Sequence, residues 1–366
     1  MSRIEDLIAE YCPDGVEYKR LGDVCKIKNG KDYKHLSAGD IPVYGSGGVM
    51  DVRVDTSVYN RPTVLLPRKG SIANVFYVDG PFWNVDTIFY TVIDEEQVIP
   101  RYLYHVMMNA HIENYSTGSA ARPSLTQSAL NKIEIPVPPL PVQEEIVRIL
   151  DSFSSLEAEL EAELEARRKQ YAYYRDQLIR DCPSIRWIPL SEISENCDKS
   201  RKPIKKEKRI AGKTPYYGAS GVVDYVDGFT HEGDYLLLSE DGANLLARSM
   251  PIAYQISGRN WINNHAHVLR IENANLRQLV EMYLNSISLE PYITKGAQPK
   301  LTKQRMETIV VPVPSEDDLS RIVEMLTKFY VLTTSLTNGL PAEIEARRKQ
   351  YEYYRDRLLS FDELAV

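Results

Sequence analysis

Glu165 to Leu178 reads EARRKQYAYYRDQL and Glu345 to Leu358 reads EARRKQYEYYRDRL, and only Ala172/Glu352 and Gln177/Arg357 differ between them. Chance does not supply such agreement, so the chain is written twice. Other anchors fall in the same order in both halves. Cys12-Pro13 matches Cys182-Pro183, PVYGSGGVMD from Pro42 matches PYYGASGVVD from Pro215, and PSLT from Pro123 matches PKLT from Pro299. Each half is a variable body followed by a nearly constant tail, which Ile135-Pro-Val-Pro or Val311-Pro-Val-Pro introduces.

The tails read as helices. Ile146, Leu150, Phe153, Glu157, Leu160, Leu164, Arg167, Tyr171, Tyr174 and Leu178 alternate steps of four and three. That is a heptad seam of about 33 residues, roughly 50 Å of helix, and it needs a partner. The second tail runs the seam through Ile322, Leu326, Phe329, Leu336, Leu340, Ile344, Tyr351, Tyr354 and Leu358. It carries four extra residues, a stutter at which Gly339 and Pro341 can break the helix. Ser315 with Asp318 reads as an N-cap. Pairing the two tails antiparallel, with a body at each end, is the economical architecture.

The bodies are strand-rich. Pro62 to Leu66, Val75 to Val78, Thr87 to Val92, Tyr235 to Leu238 and Ala266 to Ile271 are short apolar or aromatic runs punctuated by turn residues. Helices are expected over Arg101 to Ile112 and Leu276 to Ile287. The predicted class is α+β: two mixed α/β bodies, 1–139 and 182–314, and two long helical segments, 140–181 and 315–366, forming an antiparallel coiled coil with a pseudo-two-fold internal repeat.

A chain of 366 residues, 43% hydrophobic and 26% charged, is long enough for two cores and is neither disordered nor collagen-like. No run approaches the roughly 20 apolar residues of a membrane span, and charge begins at Arg3. The expectation is a cytoplasmic protein without a membrane partner. Cys12, Cys25, Cys182 and Cys197 contain no C-x-x-C pair and are expected as reduced thiols. Net charge is -7, but the acid concentrates in the helices. Only the second body is net positive, through Lys199, Arg201, Lys202, Lys205, Lys206, Lys208, Arg209 and Lys213. Phosphate contacts require such a cluster; a solvated loop is the plain alternative. Lys26, Lys28, Lys31 and Lys34, with Arg68 and Lys69, form a thinner equivalent in the first body.

Catalytic constellations do not stand out. G-x-S-x-G, H-E-x-x-H, the P-loop and N-P-P-[FY] are all missing, and GSGG at Gly45 fails the dinucleotide pattern at Met50. That loop and its repeat GASG at Gly218 read as tight turns. His265 and His267 alternate as on one strand face; the other half aligns Asp86 and Ile88 there, no third ligand is evident, and no metal is expected. Asn84 and Asp86 after Trp83, and Asn263, Asn264 and His265 after Trp261, read either as polar groups offered to base edges or as satisfied turn polars. GSAARPSLT at Gly118 and GAQPKLT at Gly296 make Thr126 and Thr302 N-caps, beside Arg122 and Lys300 as phosphate-site neighbours. In RRKQYxYYRD, Tyr173 and the Arg168-Lys169 pair lie off the seam, as do Arg348, Lys349 and Tyr353. Partner docking explains their preservation better than helix packing alone.

The order CPDGVEYKRLGDVCKIKNG, a variable stretch, IPVPPLPVQEEIVRILD, a long Tyr/Arg helix and then the whole order again resembles the specificity subunit of type I restriction-modification systems. RKGSIANVFYVDGPFWNVDTIFY from Arg68, EDGANLLARS from Glu240 and NWINNHAHVLR from Asn260 add to that resemblance. It implies that each body is a target recognition domain reading one half of a split, asymmetric double-stranded DNA site. The helices set the separation and bind two copies of the modification subunit, and a restriction subunit can join. Methyl transfer from S-adenosylmethionine and ATP- and Mg-dependent cleavage fall to those partners, so this chain is non-catalytic and holds no cofactor. The second copy has PSEDD where the first has PPLPVQEE, which sets the two tails apart as docking sites.

On this reading Lys26, Lys28, Arg68, Lys69, Lys202, Lys205 and Lys206 hold the DNA backbone, and Tyr44, Ser46, Asn84, Asp86, Tyr217, Glu240, Asn263 and His265 lie near base edges. Arg168, Lys169, Tyr173, Arg348, Lys349 and Tyr353 face the modification subunit. A 50 Å spacer would place the half-sites about one and a half turns apart, at about 34 Å per turn. MSRIEDLIAEYCP begins where the first tail's RDQLIRDCP would stand, so the N-terminal helix is expected beside LLSFDELAV. The rival reading is a coiled-coil scaffold that never touches DNA.

Overall fold

The computed structural model describes residues 3–117, 123–294, 298–335 and 338–364. Gly118 to Arg122, Gly296, Ala297 and Leu336 of the sequence reading lie outside those residues. The chain divides into two compact units, residues 1–162 with 342–366, and residues 163–341.

In the first unit the strands run β1 (Glu17–Arg20), β2 (Cys25–Asn29), β3 (Ala38–Gly45), β4 (Gly48–Val54), β5 (Thr63–Pro67), β6 (Phe76–Val78), β7 (Trp83–Asn84), β8 (Ile88–Ile93) and β9 (Glu134–Val137). They form sheets of order β2-β8-β5-β6 and β4-β3-β7, plus the ribbon β1-β9. Strand β5, TVLLP, is buried at every residue, because neighbouring strands pair with both its edges and both its faces are covered. Helix Pro100–Asn109 packs there, burying Tyr102, Leu103, Val106 and Met107.

The second unit repeats this plan. Its strands are β10 (Arg186–Pro189), β11 (Glu195–Asn196), β12 (Ala211–Gly218), β13 (Gly221–Val226), β14 (His231–Glu232), β15 (Tyr235–Ser239), β16 (Ala253–Ile256), β17 (Arg259–Ile262), β18 (Ala266–Arg270) and β19 (Val310–Val313). The sheets are β11-β18-β15-β16 and β13-β12-β17-β14, with the ribbon β10-β19. Even the unusual parallel pairing recurs: Val43 faces Trp83 in β3-β7, and Tyr216 faces Trp261 in β12-β17. Where the second unit pairs β14 with β17, the first has, among its described residues, only the isolated antiparallel bridge Tyr59–Phe82. The two glycine-rich loops are the hairpin turns β3-β4 and β12-β13, where Gly48 and Gly221 take φ of 109° and 118°, a conformation that excludes most side chains.

The first tail forms helix Leu140–Arg180, 41 residues rather than 33. Its start is pinned by Gln143, which accepts from the Ile99 amide at 2.9 Å and donates to the Gln97 and Pro138 carbonyls at 2.8 and 2.7 Å. The second tail is two helices, Glu316–Thr334 and Leu340–Leu358. The stutter is therefore accommodated by a break where Gly339 and Pro341 stand, not by unwinding. Ser315 accepts from the Asp318 amide, as the sequence requires of an N-cap. Ser315→Ala should lower the unfolding temperature of the second unit by about 2–4 °C, the equivalent of about 1 kcal/mol, in a calorimetric scan of the whole chain.

Within each unit the helices pair antiparallel along the seam. In the first, Phe153 stacks on Tyr354 at 5.4 Å and Arg348 reaches back to Glu157 and Glu161 at 2.6 and 2.5 Å. In the second, Tyr174 stacks on Phe329 at 5.7 Å and Tyr171 meets Tyr330 at 6.2 Å. The C-terminal segment closes the first unit as expected. Val16 donates to Asp362 O, Leu364 donates to Val16 O, and the Tyr18 hydroxyl donates to Phe361 O at 3.0 Å.

Candidate nucleic-acid interface

The strand-exit loops of the two units share one backbone frame. The Arg68 amide donates to Thr87 O, and the Glu240 amide donates to His265 O. Leu125 donates to Arg68 O, and Leu301 donates to Glu240 O. Trp83 Nε1 donates to Lys31 O at 2.9 Å, and Trp261 Nε1 donates to Lys202 O at 2.7 Å. This frame corrects the alignment expected from sequence: Thr87 and Phe89, not Asp86 and Ile88, correspond to His265 and His267. It also makes Lys31 the counterpart of Lys202.

The basic segment of the second unit is laid down by those contacts. Lys202 N donates to Ile262 O, and Ile204 N donates to the Tyr216 hydroxyl at 3.0 Å. Arg209 is engaged inwardly, bonded to Asp224 at 2.9 Å and lying over the Tyr216 ring at 4.4 Å. Lys199, Lys202, Lys205, Lys206, Lys208 and Lys213 are all exposed. In the first unit Lys26 and Lys28 point outward from the same face of β2, and Lys31 and Lys34 are exposed beyond it. Arg68 is half-buried and Lys69 is exposed, 3.7 Å from Asp86, which is itself exposed.

Three base-edge candidates are overturned by burial. Asn84 is fully buried and donates to Ile88 O at 2.7 Å. Asn263 is buried and its Oδ1 accepts from the His265 amide at 2.8 Å, a turn-closing role. Glu240 is also buried, within an ionic cluster. Tyr44 and Tyr217 are half-buried, packed on Phe82 and on Tyr254 respectively. Ser46 is half-buried in its hairpin turn, its amide donating to Thr87 Oγ1 at 3.2 Å. Asp86 and His265 remain at the surface. His265 Nδ1 lies 2.9 and 3.0 Å from the two carboxylate oxygens of Asp241, a residue the sequence reading passed over.

The cluster around Glu240 was not foreseen. Arg201 bonds Glu240 at 2.5 Å and Asp198 at 3.2 Å, Lys300 bonds Glu240 at 3.0 Å, and His267 bonds Asp198 at 2.7 Å and Leu301 O at 2.8 Å. Burial acts to raise both carboxyls, but the His267 ring, the Val268 amide and Arg201 hold Asp198 below its ordinary range. Arg201, Lys300 and His267 do the same for Glu240. Asp198, Glu240 and His267 bring ligand atoms within 4.8 Å of one another, but Arg201 and Lys300 already supply the positive charge. These residues do not fit a metal ion.

On the helices, Tyr173 and Tyr353 are 63% and 59% exposed. Lys169 and Lys349 pair with Glu165 and Glu345 one turn back, at 2.6 and 3.2 Å. Arg168 is exposed, whereas Arg348 is committed to Glu157 and Glu161. Arg348 is thus a packing residue first, and the two tails differ in what they leave free. No described helix is long and apolar enough to cross a membrane.

Comparison with known proteins points one way. The family model for the type I restriction modification DNA specificity domain matches residues 13–166 and again 187–346. A putative type I restriction enzyme specificity subunit of Haemophilus influenzae is 36% identical over 184 residues, 49% of this chain and 47% of that protein. The match therefore spans about half of that relative's length. The EcoR124I/EcoR124II specificity subunit of Escherichia coli is 32% identical over 296 residues, 74% of this chain and 73% of its own. In fold, the chain is similar to the type I restriction-modification S subunit from M. genitalium, with a TM-score of 0.63 at 18% identity, covering 94% of this chain and 95% of that one. The two matched segments follow the internal repeat and take in most of the sequence, so the chain belongs to the type I restriction modification DNA specificity domain family.

Proposed function

We propose that this chain is the DNA-reading subunit of a type I restriction-modification complex, each unit recognising one half of a bipartite, asymmetric site. Residues 1–139 and 182–314 are the recognition domains, and 140–181 and 315–366 the spacer helices, which set the half-site gap and dock modification subunits. The observation that carries this is the shared frame: one backbone arrangement, twice, with a lysine-bearing segment hung from a tryptophan and different side chains mounted at the strand exits. Positioning by the backbone with exchanged readers is what two different half-sites require. Exposed Tyr173 and Tyr353 on near-identical helix surfaces support docking of the same kind of partner twice. Methyl transfer and cleavage, with S-adenosylmethionine, ATP and Mg, are assigned to those partners.

The test is a genome-wide methylation map of cells expressing this chain with the modification subunit encoded beside it, compared with cells lacking the chain. A split motif that depends on the chain is expected. Co-purification of the two proteins with no motif would overturn DNA reading in favour of a scaffold.

A further inference from the structure

The two strand exits carry inverted charge on a common frame. In the first unit the exit offers Arg68 and Lys69, with Asp86 and Thr87 opposite; in the second it offers Glu240 and Asp241, with Asn264 and His265 opposite. Glu240 is consumed by the buried cluster. That leaves Asp241 and His265 as the pair at the surface, their side chains 16% and 48% exposed. A carboxylate only accepts hydrogen bonds, so the ring nitrogen facing both Asp241 oxygens carries a hydrogen. This fixes the ring's orientation and leaves Nε2 without a partner among the described residues, on a side chain that is 48% exposed.

We infer that His265 is a specificity-determining residue of the second unit, its Nε2 hydrogen-bonding one base edge in the major groove, and that Asp241 is its positioning residue. The inference rests on the DNA-reading function proposed above. The rest of the frame supports it. His265 O is tied to the Glu240 amide, its own amide to Asn263 Oδ1, and the Asn263 amide to Tyr217 O. The ring thus stands on a backbone fixed at both sides, and one carboxylate sets its direction. A neutral ring accepts at Nε2 and suits the amino group of adenine or cytosine; an imidazolium donates and suits guanine N7 or O6. The base lost from the motif on mutation identifies which form acts. The first unit has Lys69 and Thr87 at those two positions instead, with Lys69 lying 3.7 Å from the adjacent Asp86, so its exit offers different chemistry to a base edge.

The experiment is the methylation map repeated with His265→Ala, Asp241→Asn and the double variant, in the assembled complex. Each single variant is expected to make the same one base pair degenerate in one half-site and leave the other half-site intact. The double variant should add nothing further, since Asp241 acts through the ring. An unchanged motif with either single variant would overturn the inference while DNA reading stood. So would uniformly weaker methylation at an unaltered motif, which would make His265 a phosphate contact. A wild-type chain that directs no motif would remove both the function and the inference.

Discussion

Glu240→Ala is expected to destabilise the second unit by about 3–5 kcal/mol, enough to lower its unfolding temperature by roughly 10 °C. The residue is buried, and its removal leaves Arg201 with Asp198 as its one remaining carboxylate and takes from the half-exposed Lys300 the carboxylate it pairs with. A mostly buried guanidinium that loses one of its two carboxylates is under-compensated without regaining water, which costs more than the pair was worth. By contrast, Asp86→Ala breaks a contact in which both partners are more than half exposed, and should cost under about 1 kcal/mol. Calorimetry of the full chain separates the two; equal, small shifts would show that the cluster is not the keystone of this unit. The pH dependence has a defined sign. Asp198 and Glu240 both titrate below their ordinary range in the folded chain. Their stabilisation is therefore complete above about pH 5.5, where the unfolded carboxylates are almost fully ionised, and is lost as pH falls through the unfolded and then the depressed folded values. The Glu240→Ala variant should show a shallower acid limb than the wild type.

Replacing Lys202, Lys205 and Lys206 together by alanine should weaken DNA binding roughly 10- to 100-fold near 50 mM salt and leave the recognised sequence unchanged. Each phosphate contact contributes a slope of about 0.9 in log K against log salt, so three lost contacts flatten the salt dependence by about 2.7. The three side chains are exposed on a segment held by its backbone. Folding should accordingly be intact, and fluorescence anisotropy across a salt series is the measurement. A lower affinity with an unchanged slope would place these lysines away from phosphate. A changed motif would make them readers.

These two predictions draw on different kinds of information. The duplication, the strand-rich bodies, the break at Gly339 and the cap at Ser315 were all legible locally, because repeat, periodicity and capping act over a few residues. Tyr235 to Leu238 announced a central strand by being apolar throughout. What could not be read was which way polar side chains face. Asn84, Asn263 and Glu240 have the right chemistry for base edges and are buried, because their surroundings come from residues brought together by pairing. Arg201, which neutralises Glu240, lies 39 positions away, and Arg348 meets Glu157 across 191. One residue of register separated Asp86 from Thr87 as the partner of His265, and in a strand one residue is the difference between two faces. Asp241 had no signal of its own; only the shared frame brings it to the ring.

The closure of the first unit by residues 342–364 has a consequence for biosynthesis. Leu358 and Leu359 belong to the same core as Ile4, Val16 and Tyr102, so that core stays open until the Leu340–Leu358 helix has left the ribosome. The second unit is drawn from one uninterrupted stretch, residues 163–341. Although most of it is synthesised after the first body, it has all its parts first and can finish folding while that earlier-made body still waits for the Leu340–Leu358 helix.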